Sequence, residues 1–234
     1  MTKRLLLALL LLSVASRAWG AIAVDATSHS DGATGSSLTF SHTVTGSNTY
    51  IVCTAGNRQV GPVDVSTVTY NGGSLAQLGA TGAFGTFNKT ELWSGIPNAT
   101  GAHNVVITWA SSTANLEGGC VSFTGVDQST PTGTTVTNTG AGTTATVTIT
   151  SASGEMVVDG VYEDSSFDLT ANQTLQWNDN GNLVSTNAGQ QTAAGAASVV
   201  MSWGIASSRD WGTIGVPLKP VAAASAVRHR VIQQ

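Results

Sequence analysis

The chain has 234 residues, of which 41% are apolar and only 9% charged, with nine Lys and Arg against thirteen Asp and Glu. An ordinary soluble domain carries about 25% charged residues, so solubility here must come from Ser, Thr, Asn and Gly. The apolar share excludes a disordered polymer, and the acidic balance excludes nucleic acid and anionic membrane surfaces, which need a basic face.

At the N-terminus, Lys3 and Arg4 precede the apolar run from Leu5 to Val14, and Ala18-Trp19-Gly20 places small residues where a signal peptidase reads. The pattern predicts a secretory signal over 1–20 with cleavage before Ala21. The run is half the ~20 residues needed to cross a bilayer, and no later segment is apolar enough for membrane insertion. Loss of Lys3, Arg4 and Arg17 would leave six basic against thirteen acidic residues, a net charge of −7 (6 − 13). The expected destination is outside the cytoplasm, secreted or at the cell surface.

Beyond the signal the apolar period is two. Leu38, Phe40, His42 and Val44 alternate with polar residues, as do Val105, Ile107 and Trp109, then Ala145, Val147 and Ile149. Such alternation puts one strand face on a core and the other in water. No stretch carries a helical stripe, and the Ala- and Gly-rich residues 187–197 read as a loop entering a strand. Asn71-Gly72, between Val68-Thr69-Tyr70 and Leu75, is a hairpin signal, because both residues tolerate positive φ. Ser153-Gly154 marks a second hairpin.

About twelve short strands are expected, near 22–27, 37–45, 49–55, 65–71, 74–79, 89–95, 103–110, 119–125, 143–150, 155–163, 197–204 and 211–218. So many antiparallel strands favour two packed sheets over one. The leading architecture is an all-β, single two-sheet antiparallel β-sandwich of the jelly-roll or concanavalin-like kind over 21–220. Two tandem immunoglobulin-like domains split near residue 130 are the alternative. No Pro/Ser linker lies there, and no convincing repeat relates the halves. Residues 221–234, with Arg228-His229-Arg230, read as a flexible tail.

Several stretches carry a resemblance: Val68 to Gly73, Glu91-Leu92-Trp93, Val121 to Pro131, Glu155 to Asp159, and Trp211 to Pro220. The chain resembles uncharacterised exported bacterial β-sandwich modules found in surface proteins. The resemblance implies a laminin-G-like sandwich with a surface or binding role, and brings no catalytic residues.

Cys53 and Cys120 form either one disulfide, as an oxidising compartment allows, or two separate buried thiols. Glu155 and Asp159 share a strand face but stand ~13 Å apart at ~3.3 Å per residue, too far for a retaining glycosidase pair. Glu163, Asp164 and Asp168 cluster near a strand end. They are either oxygen ligands for Ca²⁺ or a solvated acidic turn, and no other cofactor is indicated. His29, His42, His103 and His229 face no Gly-x-Ser-x-Gly elbow, and His42 keeps phase with core residues. Trp93, Trp109, Trp203 and Trp211 read as core. Trp177 differs, standing in Gln176-Trp177-Asn178-Asp179 beside an amide-rich loop. That set is either a sugar platform, with Gln176, Asn178 and Asp179 bonding hydroxyls, or a strand-end Trp capping the core. Asn88, Asn98 and Asn172 begin Asn-x-Thr triplets, read as chance in a Thr-rich chain. The expectation is a non-enzymatic module whose partner is a glycan or another surface polymer, with self-association as the structural alternative.

Overall fold

A computed structural model describes residues 20–85, 88–164, 169–180 and 186–222. Most of the signal (1–19), Asp168 and the tail from 223, with Arg228, His229 and Arg230, lie outside these residues. Among the described residues there are thirteen strands and no helix, so the all-β expectation holds.

All strand pairs are antiparallel, and they form two sheets. The first comprises β1 (Ala23–Val44), β2 (Tyr50–Arg58), β3 (Val65–Tyr70), β4 (Gly73–Ser74), β5 (Ala76–Ala80), β6 (Asn88–Gly95) and β7 (Gly101–Thr124). The second comprises β8 (Val136–Ile149), β9 (Met156–Glu163), β10 (Leu169–Ala171), β11 (Thr174–Asn178), β12 (Asn187–Ala194) and β13 (Val199–Leu218). Every strand of the first sheet precedes every strand of the second. The expected jelly roll would instead carry the chain back and forth between its sheets.

Three expected strand pairs are single long strands. The segments near 22–27 and 37–45 join as β1, those near 103–110 and 119–125 join within β7, and those near 197–204 and 211–218 join as β13. The polar residues between them interrupt the alternation, but they sit within continuing strands. β1 pairs with β7 from Ala23↔Thr124 to Val44↔Gly101, with register shifts at Val24/Ala26 and Gly35/Ser37. Such bulges bend a strand without ending its pairing. The bend folds the β1/β7 ribbon over its own sheet until the start of β1 meets its end. There Thr45 donates its N–H to Asp25 Oδ2 at 2.8 Å and its hydroxyl to Asp25 Oδ1.

This folding-over explains why the central strands are buried on both faces and lack alternation. One face of β2 and β7 closes a core with Leu38, Val68, Tyr70, Trp93 and Trp109 inside the first sheet. The other face meets the second sheet, where Val52, Leu92, Val121 and Phe123 pack against Val158, Tyr162, Val216 and Leu218. The second sheet closes smaller cores of its own around Trp203 and Trp211, and around Ile149 and Met201. Residues 187–194, expected as loop, are a strand buried along most of its length, which removes the periodic signal. The hairpin turn is as expected, with Asn71 at φ 48° and Gly72 at φ 73°.

The sheets also repeat one another. The first runs β3-β7-β2-β6-β5 with β1 beside β7, and the second runs β10-β13-β9-β12-β11 with β8 beside β13. In chain order each member of one matches a member of the other, β4 alone being extra. The register shift between Gln77 and Gly79, opposite β6, recurs between Leu175 and Trp177, opposite β12. A trace survives in sequence, Val105-Val106-Ile107-Thr108-Trp109 matching Val199-Val200-Met201-Ser202-Trp203. A repeat therefore relates the halves, contrary to the sequence reading, because it is kept in pairing and register far more than in residue identity.

Candidate functional site

Trp177 stands where β11 meets the first sheet, and only 4% of its surface is exposed. Its ring stacks on His29 at 5.3 Å between centroids and crowds Gly119, where a Cβ would stand 2.5 Å from the indole. Its Nε1 donates to Gln190 Oε1 at 2.7 Å. The ring is thus a wedge between sheets, as the core-capping alternative has it, and presents no face for a sugar.

The neighbouring amides are spent locally. Asn178 Nδ2 donates to Leu169 O at 3.1 Å, and Asn180 accepts from Leu169 N and donates to Leu169 O, both at 2.9 Å. Gln176 Nε2 donates to Thr192 Oγ1 at 2.8 Å, and Asp179 takes its N–H to Ala188 O. The Asn178 and Asn180 side chains hold short β10 against β11, and that of Gln176 reaches β12, instead of converging on an outside group. Trp93, Trp109, Trp203 and Trp211 are buried, so no described tryptophan offers a platform.

Two of the three acidic residues have partners of their own. Glu163 is fully buried at the end of β9 and accepts from Asn187 Nδ2 at 3.1 Å. Asp164 pairs with Arg58 Nε at 2.5 Å, and Asp168 lies outside the described residues. Among the described residues no three His, Cys, Asp or Glu side chains gather closely enough to hold a metal ion.

Glu163 does belong to a buried polar seam that the sequence reading missed. Glu117 on β7 is fully buried and accepts from the Thr186 hydroxyl. Tyr162 lies between the sheets and donates to Asn115 O at 2.9 Å. Its burial, then the nearby Glu117 charge, raises the phenol well above its usual range. Because Thr186 and Tyr162 belong to the second sheet side and Glu117 and Asn115 to β7, the seam ties the sheets together. Glu117, a charge interrupting the apolar run from Leu116 to Val121, is the signal that could have revealed it.

Three further polar groups are buried inside the sheets. Asp159 is wholly buried and accepts from Gln191 Nε2 at 3.0 Å and Trp203 Nε1 at 3.1 Å on one oxygen. Burial pushes its carboxyl up to about 7, against the lowering effect of those bonds. Glu91 accepts from Val65 N, Gln77 Nε2 and Trp93 Nε1, and burial raises its carboxyl too. His42 Nδ1 lies 2.7 Å from Ser28 Oγ, with burial holding the imidazole down to about 4 despite the Asp25 charge. His42 Nε2 is buried without a partner, so the ring is a neutral core group. Glu155 lies before β9, half-buried, and bonds Ala152 N at 2.9 Å, while Asp159 points into the second sheet's own core, so the two do not form a pair in one cleft.

Cys53 and Cys120 face each other across β2 and β7 and are joined by a disulfide. An open cleft of about 390 Å³ lies between Gly20, Ala21 and Ile22 and the β8–β9 turn with Glu155 and Met156. No aromatic residue or acid pair lines it. Of the triplet asparagines, Asn98 and Asn172 are exposed and Asn88 is fully buried. Compared with protein-family models, curated proteins and solved structures, the chain matches none.

Proposed function

We propose that this is a non-enzymatic, exported sandwich module that works at the cell surface or beyond it by edge association, with a further copy of itself or with a surface polymer. The observation that supports it most is β8. Its fourteen residues contain no charged side chain and no proline; among the described residues it pairs with β13 alone, and its own Asn138 side chain accepts from Thr139 N and donates to Thr146 O, with no further strand along it. Charges and prolines are what usually protect a sheet edge from pairing with another chain, and strand addition is a general binding mode for such edges. The longer edge strand, β1, carries Asp25, His29, Asp31 and His42 and is better protected.

On this reading a glycan partner is held by hydrogen bonds from hydroxyl- and amide-rich strands, because ring stacking at Trp177 has no exposed face to use. Sedimentation velocity of the purified protein tests the proposal. The expected result is a mean mass that rises with concentration and returns to monomer when exposed Thr139 and Thr148 of β8 are both changed to Lys. A protein that stays monomeric throughout, yet binds an arrayed glycan equally with and without those lysines, would refute edge association.

A further inference from the structure

We infer that the chain is a duplicated unit whose two halves are keyed to each other by reciprocal large and small residues, so that each inner face accepts the other half and rejects a copy of itself. The pairing registers define the equivalent positions. In the first sheet one rung runs His29–Gly119–Thr54–Leu92–Gly79 across β1, β7, β2, β6 and β5. In the second the matching rung runs Thr137–Ile214–Gly160–Gln190–Trp177 across β8, β13, β9, β12 and β11.

The two rungs lie against each other, and besides the His29–Trp177 stack their contacts set a side chain on one against a glycine on the other. A Cβ at Gly160 would collide with the Thr54 hydroxyl and methyl, and one two residues on, at Gly56, would collide with the Tyr162 ring. Thr54 and Gly160 are equivalent positions, as are Gly56 and Tyr162, so both contacts lie where the pseudo-twofold relation brings equivalents together. Away from that line Trp177 fills the space over Gly119, and Ile214 stands 3.2 Å from where a Gly79 Cβ would be. Gly119 and Ile214 are equivalent, and so are Gly79 and Trp177.

These exchanges decide what can pair. Two first halves would set Thr54 against Thr54 and leave Gly79 over Gly119 hollow. Two second halves would set Tyr162 against Tyr162 and drive Trp177 into Ile214. Close packing penalises both overfilled and empty sites, and discrimination by built-in clash is a general route to specificity. Only a first half with a second half fills every position once. The partner that fits either inner face is therefore an opposite half, and a second copy cannot dock there through its like half.

A double-substitution cycle across the equivalent pair tests the keying. Gly160→Thr alone is expected to lower the denaturant midpoint sharply through collision with Thr54, and Thr54→Gly alone to lower it through a void. The exchange Thr54→Gly with Gly160→Thr moves the key to the other half and conserves composition, so it is expected to recover most of the summed loss. If a single variant fails to fold, a folded double variant supports the inference still more strongly. A double variant whose loss equals the sum of the singles, or that fails to fold alongside them, overturns it.

Discussion

Asp159→Asn should make the protein less sensitive to alkali, by an amount the structure sets. The carboxyl is wholly buried inside the second sheet and titrates near 7 instead of 3.8. The folded state therefore holds a proton that the unfolded chain releases. Stability from this group is complete below pH 3.8 and is lost as pH rises to about 7. Moving the carboxyl from 3.8 to about 7 corresponds to about 4 kcal/mol. In Asp159→Asn the amide oxygen can accept from Gln191 Nε2 and Trp203 Nε1 as the carboxyl does, while nothing remains to ionise. Denaturant unfolding of both proteins at intervals from pH 3 to pH 8 measures the effect. Whatever the offset at pH 3, the variant should gain on the parent by about 4 kcal/mol by pH 8. Parallel curves would refute a buried protonated carboxyl.

Other outcomes follow from the same geometry. His42 works in the opposite sense: its proton affinity is depressed to about 4, so its contribution is complete above pH 6.5 and is lost as pH falls toward 4. Since its window overlaps that of Asp159, the parent's stability should be nearly flat between pH 4 and 6.5, and Asp159→Asn should uncover a rise of about 3 kcal/mol across it. Reducing the Cys53–Cys120 disulfide, whose residues are 67 apart, should cost about 4 kcal/mol by loop closure, read from midpoints with and without reductant. Trp177→Ala should lose about 3–5 kcal/mol of stability, the usual cost of emptying a buried Trp site, and leave any partner affinity measured below the melting range unchanged. Asp159→Cys with Gly215→Cys, in an Ile149→Val background that clears the site, should form a second disulfide detectable by mass, because that rung partners Asp159 with Gly215 as β2 and β7 partner Cys53 with Cys120.

How much was legible depended on which face of a strand met what. Alternation at Leu38 to Val44 and Val105 to Trp109 survives because those strand halves cover a core on one side only. It vanishes in β2 and β12, buried on both sides along most of their length, and without it β12 has the pattern of a loop. Bends at Gly35–Ser37 and at 111–115 use the same small polar residues as turns, so long strands read as pairs of short ones. The repeat was hidden by the complementarity that makes it work: Thr54 with Gly160, Gly56 with Tyr162 and Gly119 with Ile214 differ because the halves must fit each other. The sequence leaves Trp177 between platform and core cap, because an amide-rich loop looks the same whether its amides bond an outside hydroxyl or Leu169. Glu117 is visible as a charge inside the run from Leu116 to Val121, but its partner Thr186, 69 positions away, needed the fold.

Amide hydrogen exchange at low and high protein concentration tests the open edge of β8 most directly. Edge pairing predicts that the exposed β8 amides between 137 and 148 become protected as concentration rises, while β1 amides stay unchanged. Protection in β8 that is the same at every concentration, and with every surface polymer added, would contradict it.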